Sequence, residues 1–418
     1  MINFLGPISA RYASLVVQFL VIAVITRSLN SNDAGHFFVI MGIVLATYFA
    51  AGIGMPDGVV RFAPALAAHG DDHRATALIA RSLKLSLLTL PIGAVAAGGG
   101  VSLYLHDAKV GWLAGLWWAS YGTIFVAAQH VVACSRGELG SAMFYSAANA
   151  GQLIVTLPLI LAFKLNSLDG VLAAVAAGTC FSASVCLAVA YRHCRTPTEF
   201  IDSLRDVWSQ GIAIAAGRVV QSCLLWSPVW VAGFILGPED AAVVGLACRL
   251  VSAVAAVIAA IRFSIRPSLA RNAARGDWHA IELQVSRIAF FATLLAVMSI
   301  GIAATVGDTL IDIAFGANYR SAGTVTALLL FGTVGESIGG PVDEVLKMSG
   351  HAVDVIVVQT LVLILGFGAL IVTGAVYGIY ALALAYSLQF FVLYLALIAR
   401  LWKLHGILVI PKFGFRKP

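Results

Sequence analysis

A chain of 418 residues in which 60% are hydrophobic and 11% charged, with a mean hydropathy of +0.94, is more apolar than the interior of a soluble fold of this size requires. The composition excludes a soluble globular or disordered protein and makes the bilayer the solvent. The net charge of +6 and the pI near 9.1 read as basic loops against anionic lipid, and nucleic acid is not expected as a partner.

Crossing a hydrocarbon core of roughly 30 Å takes about 20 mostly apolar residues. In chain order, twelve such runs are predicted as spans. The first half contributes 5–26, 36–54, 85–105, 111–132, 142–163 and 170–191. The second contributes 212–235, 241–261, 288–306, 322–338, 355–372 and 377–398. The first run has no basic residue before it and is as long as its successors, so it reads as a span and not as a cleaved signal. The six cysteines, Cys134, Cys180, Cys186, Cys194, Cys223 and Cys248, form no CxxC pair. They are treated as small apolar residues, and no metal site, disulfide framework or cofactor is expected.

Of the 26 Lys and Arg, only Arg27, Lys109, Lys164 and Arg320 fall on the side opposite the termini, and only Arg249 lies deep in a span. Cytoplasmic loops retain positive charge, so both termini are expected in the cytoplasm and the protein in the bacterial inner membrane, crossing it many times.

The chain also repeats itself. Val16-Val17-Gln18 matches Val219-Val220-Gln221, and Gly70-Asp71, His73 and Arg81 match Gly276-Asp277, His279 and Arg287. Residues 157–163 match 361–367, so a nearly constant offset runs the whole length. Six spans return the chain to its starting side, so the halves are parallel repeats. The expected organisation is an N-terminal six-helix bundle over 1–191, a linker over 192–211, a C-terminal six-helix bundle over 212–401 and a basic tail over 402–418. Phe200, Leu204 and Trp208 recur every four residues in the linker, as on an interfacial helix. The fold class is an all-α integral membrane protein with about 12 transmembrane helices in two parallel six-helix bundles.

An Arg at a span centre costs roughly 2.5 to 3.5 kcal/mol on insertion scales. Arg249, about eight residues into the eighth span, is therefore a candidate for ligand binding. The first span carries Arg11, Ser14 and Gln18 on one face, and its repeat partner carries Arg218, Gln221 and Ser222. In a two-half transporter such faces meet across a central cavity; Arg11 and Arg218 equally suit topological anchoring. The fifth span aligns Tyr145, Asn149, Gln152 and Thr156, with Gln359, Thr360 and Gln389 in the last two spans. These residues suit sugar hydroxyls or interhelical hydrogen bonds. Of the 20 Asp and Glu, only Glu336 falls inside a predicted span, and the first half has none. A cavity without acids favours an anionic ligand, because guanidinium pairs bidentately with phosphate. Pro91, Pro158 and Pro228 are candidate kinks.

Three segments then point to a family. Thr26-Arg27-Ser28-Leu29 is followed by Asp33-Ala34-Gly35, residues 54–61 precede a basic loop, and Phe315-Gly316-Ala317-Asn318-Tyr319-Arg320-Ser321-Ala322 precedes the tenth span. On these segments, and over its full length, the chain resembles the Wzx-type polysaccharide flippases, in the superfamily that also holds multidrug exporters and lipid II flippases. The resemblance implies two bundles around a central cavity and, with no enzymatic step, transfer of an undecaprenyl-diphosphate-linked oligosaccharide to the outer leaflet. It implies partnership with membrane lipids and with polysaccharide polymerase and chain-length proteins. Related flippases use cavity arginines in helices 1, 2 and 8; Arg11 and Arg249 match two of these, leaving Arg61 or Arg218 for the third. A cation-coupled multidrug exporter of the same fold would place an acid in a first-half span. A membrane-embedded polymerase or ligase would carry a long external catalytic loop, whereas the longest one here is 307–321.

Overall fold

The computed structural model describes the backbone of residues 5–68, 70–134, 136–194, 204–407, 409 and 411. It describes their side chains except for residues 5–12, 65, 68, 259–268, 270, 271, 273–275, 348 and 352. The elements are helices: α1 Leu5–Ser28, α2 Ser31–Thr47, α3 Met55–Ala68, α4 Asp72–Leu105, α5 Ala108–Ala133, α6 Gly137–Gly151 and α7 Leu157–Phe163. They continue with α8 Leu168–His193, α9 Arg205–Val231, α10 Pro238–Arg275, α11 Trp278–Phe315, α12 Ala322–Gly339, α13 Val342–Met348 and α14 Ala352–His405. Among the described residues, ten stretches are long and apolar enough to cross a membrane, and Ala13–Ser28 is a shorter apolar helix. The 54-residue α14 is interrupted at Gly378, whose φ of 77° separates two span-length arms. The protein is thus an all-helical membrane protein with about twelve spans.

Polar caps start the helices at the loop edges. Asn30 accepts from the Asp33 amide at 2.8 Å, Asp107 from the amides of Lys109 and Val110, and Asp277 from that of Ala280 at 3.0 Å. Each such cap contributes about 1 kcal/mol. Because Asp71 and Asp277 cap α4 and α11 well before their apolar runs begin, these helices start at Asp72 and Trp278, not at 85 and 288 as hydropathy alone predicts. Hydropathy marks the lipid-covered part of a helix and not its charged extensions. Trp208 likewise belongs to α9 and not to a separate interfacial helix, and Phe200 lies outside the described residues.

By packing, the chain forms two compact units, Met1–Cys223 and Leu224–Pro418, so α9 from Arg205 to Cys223 belongs with the first. In that unit α5 is the central helix, packed by α3, α4, α6 and α8, with Trp117, Phe125 and His130 buried along it. His130 Nδ1 lies 2.7 Å from the Val126 carbonyl, which can only accept, so Nδ1 donates there, and Nε2 lies 2.7 Å from Ser82 Oγ, which also donates to the Ile79 carbonyl. The α4–α5 seam is closed by small residues: a Cβ on Gly98 would stand 2.6 Å from the Gly111 carbonyl oxygen, and one on Gly115 2.7 Å from that of Ala94. Where α5 and α8 end, the thiols of Cys134 and Cys194 lie 3.6 Å apart. Their contact holds the Cys134 thiol below its ordinary value and pushes Cys194 well above.

The predicted kinks resolve differently. α4 continues through Pro91 and α9 through Pro228, whereas Pro158 opens α7 directly after a π-helical turn, Gln152–Thr156. A second π turn, Ala232–Leu236, follows α9. The second span is broken as well: it runs over Ser31–Pro64 and does not stop at Gly54. That break positions the site in the first unit.

Candidate functional site

α2 ends in a 3-10 turn, Tyr48–Ala50, and the next residues turn left-handed: φ is 75° at Gly52, 47° at Ile53 and 81° at Gly54. For a β-branched residue this costs roughly 1 to 2 kcal/mol. Ile53 is held there by Trp208, whose indole Nε1 donates to its carbonyl at 2.9 Å. Backbone contact explains the neighbouring glycines. A Cβ on Gly54 would meet Ile212 N at 2.3 Å, one on Gly58 would meet Val207 O at 2.2 Å, and one on Gly211 would meet Gly54 O at 2.0 Å. The first turns of α9 therefore lie directly on the start of α3.

Two turns further along α9, Arg218 Nη2 reaches Asp57 Oδ1 at 3.1 Å. The carboxylate side chain is 2% exposed and the guanidinium side chain 37%. Asp57 sits in the first turn of α3, where the helix amides favour negative charge. Its second oxygen, Oδ2, is buried without a hydrogen-bond partner among the described residues. The guanidinium also lies 5.8 Å from the Phe49 ring and 5.7 Å from that of Phe125, contacts worth about 0.5 to 2 kcal/mol each. These rings belong to an aromatic cluster: Tyr48 stacks on Phe49 at 4.2 Å and meets Tyr121 at 5.6 Å, while Phe144 bridges Phe125 and Tyr145.

Beside the cluster, Ser14 Oγ donates to the Tyr145 carbonyl at 2.8 Å and accepts from Asn149 Nδ2, tying α1 to α6. Asn149 Oδ1 is buried without a partner among the described residues. The expected polar face of the fifth span is split by the π turn. Its extra residue rotates the C-terminal part of the span, so Thr156 donates instead to the Ala174 carbonyl on α8 at 2.9 Å. Gln152 is buried within the turn and Gln18 is half-buried on α1. Arg61 and Gln221 are exposed, and the side chain of Arg11 lies outside the described residues.

In the second unit, the Arg249 guanidinium lies 5.1 Å from the Trp226 ring. Its neighbour Cys248 is buried, as is Tyr386. Gln389 donates to the Val362 carbonyl at 3.3 Å, an interhelical bond.

Asp57 is a correction to the expectation of first-half spans without acids. Gly52, Gly54 and Pro56 punctuate the chain as a span end does, and Asp57 falls just beyond them. The signal that marks the continuation is the apolar pattern resuming at Val59 and Ala63, one turn apart and both buried. The aromatic platform of Phe49, Tyr121, Phe125 and Phe144 carries no comparable signal, because rings in apolar spans look like ordinary core. Among the described residues no cluster of three or more His, Cys, Asp or Glu can hold a metal.

No family model and no curated protein matches the sequence. Solved structures match over nearly the whole chain. An inward-facing multidrug resistance MATE family transporter of the MOP superfamily aligns with a TM-score of 0.72 and 13% identity, covering 97% of this chain and 98% of that one. The lipid II flippase MurJ, in an inward closed conformation, aligns with a TM-score of 0.70 and 13% identity over 96% and 87%. A MOP superfamily transporter from Pyrococcus furiosus aligns with a TM-score of 0.68 and 11% identity over 97% and 94%. At these identities the likeness is one of fold. The chain has the helical membrane fold of transporters and flippases.

Proposed function

We propose that the protein is a flippase that moves an undecaprenyl-diphosphate-linked oligosaccharide across the bacterial inner membrane by alternating access between its two six-helix halves. Both termini face the cytoplasm in this reading, and no covalent chemistry is involved. The observation that carries it is Arg218: a guanidinium in an apolar span, resting on two phenylalanine rings beside further partly exposed aromatic rings. A guanidinium keeps its charge in a dry site and pairs with two phosphate oxygens at once. Aromatic faces suit the apolar faces of sugar rings, and Asn149 and Gln152 offer amides to hydroxyls. Arg249, over Trp226, supplies a second guanidinium in its own unit, and the polyprenyl tail stays in lipid. The likeness in fold to a lipid II flippase supports a lipid-linked cargo. Arg11, Arg61, Gln18 and Gln221 are assigned to substrate contacts along the path. Polymerase and chain-length proteins would receive the product.

The test uses a strain that builds a lipid-linked oligosaccharide and depends on this protein for export. Arg218→Ala and Arg249→Ala, each at wild-type abundance in the membrane, are expected to lower surface polysaccharide at least ten-fold and leave the precursor on the inner leaflet. Undiminished export by both variants overturns the reading.

Asp57 favours a second reading, a cation-coupled multidrug exporter, since it supplies the first-half acid that such a transporter needs, and the fold likeness includes a MATE transporter. Efflux of an organic cation dye that is abolished by Asp57→Asn, with export of the lipid-linked oligosaccharide unaffected, would put that reading first.

A further inference from the structure

The flippase reading gives the buried carboxyl of Asp57 no role, and the inference drawn from it rests on that reading. Asp57 is in contact with Arg218 through one oxygen only, at 3.1 Å, and its other oxygen is buried without a donor among the described residues. A carboxylate has about four acceptor sites. Leaving half of them dry is the arrangement a buried ion pair tolerates least.

The groups around Asp57 are few. Arg218 on α9 is the charged side chain that acts on it. Tyr48 stands close by, at the end of the second span's first segment, with Tyr121 on α5 and Tyr145 on α6 beyond it. From α4, Ser86 faces the preceding turn at Gly52 with an uncharged hydroxyl. His130 on α5 is engaged by Ser82 and the Val126 carbonyl, and Arg61, one turn along α3, is exposed. Burial and the dry oxygen disfavour charge on Asp57, and Arg218 and the helix start of α3 favour it.

We infer that Asp57 is a placeholder, occupying on Arg218 the position that a ligand phosphate takes, and that a proton settles on its dry oxygen when the phosphate displaces it. The balance is simple. The Asp57–Arg218 ion pair breaks, a phosphate–Arg218 pair forms, and one proton taken up from the bulk solution, where a buffer acid or hydronium gives it up, makes an O–H bond at Oδ2. Without that proton, the displaced carboxylate would be left buried beside a second anion. Proton and phosphate therefore help each other bind, by the same factor in both directions. The device also sets specificity, because an anion must outcompete a carboxylate already in place. A diphosphate, which brings more negative charge and more acceptor oxygens to the guanidinium than the single oxygen Asp57 offers, does so more readily than a lone carboxylate.

The test uses the full chain in lipid nanodiscs and farnesyl diphosphate as the probe. A hydrophobic carbodiimide modifies only protonated carboxyls, and mass spectrometry reads the adduct at Asp57. Modification is expected to fall as pH rises and, at a fixed pH, to increase about five-fold or more when the probe binds. Arg218→Gln should be modified up to higher pH and should not respond to the probe. Asp57→Asn, with Arg218 released, should bind the probe about ten-fold more tightly than wild type at pH 8. Probe binding with no change in Asp57 modification, or Asp57→Asn binding no more tightly than wild type, overturns the inference and leaves the flippase reading standing. No binding by either wild type or Asp57→Asn removes the phosphate site itself, and the inference with it.

Discussion

Each unit of the protein contains an Asp–Arg pair that joins distant parts of its chain, Asp57–Arg218 and Asp354–Arg400, and these two differ in what surrounds the acid. In the first, Asp57 is 2% exposed and Arg218 37%. In the second, Asp354 and Arg400 face each other from the two arms of α14, with Nε at 3.1 Å and Nη2 at 3.0 Å from the same carboxylate oxygen, at 29% and 36% exposure. The second pair has more hydrogen bonds, yet either partner can be solvated if the other is lost. The first pair is asymmetric: its arginine is partly exposed and rests on rings, while its carboxylate is buried with that arginine as its charged partner. The stakes of an ion pair are set by its less accessible member and not by its count of contacts.

The contrast can be broken by substitution, with thermal unfolding in one detergent–lipid mixture as the measure. Arg218→Ala should have the largest effect, a loss of roughly 3 kcal/mol, because it strands a buried carboxylate. Gly211→Val should cost about 2 to 3 kcal/mol by forcing α9 off the backbone of α3, and should weaken the pair as a consequence. Asp57→Asn should cost roughly 1 kcal/mol, since the remaining arginine is partly exposed and keeps its rings. Arg218→Gln combined with Asp57→Asn should recover most of what the arginine substitution alone loses. Smallest of all, Arg400→Ala should cost less than about 1 kcal/mol and lose even that at high salt. A loss at Arg400 equal to that at Arg218 would show that burial of the acid is not what separates the pairs.

Much of this arrangement is legible without coordinates. Helix spans are written in long apolar runs, and the arginines of interest, Arg218 and Arg249, stand out because charge is so rare in such runs. Register and partnership are not legible in the same way. Asp57 hides behind Gly52 and Gly54, whose positive φ keeps a span going where the same residues usually end one. A uniform 3.6-residue period puts the polar residues of the fifth span on one face, but the π turn at Gln152–Thr156 interrupts that period, so Asn149 and Thr156 serve different neighbours. Such a turn leaves no local mark beyond Pro158. The pairing of Asp57 with Arg218 depends on two backbones touching at glycines far apart in sequence, a relation no local pattern encodes.

That separation has a consequence for how the protein is made. Arg218 leaves the ribosome 161 residues after Asp57 (218 minus 57), and at roughly 5 to 20 residues per second the delay is about 8 to 32 s. For most of that interval α3 is in the nascent chain and α9, which starts at Arg205, is not. The carboxyl must wait at the interface or carry a proton, and its ion pair closes only when α9 arrives.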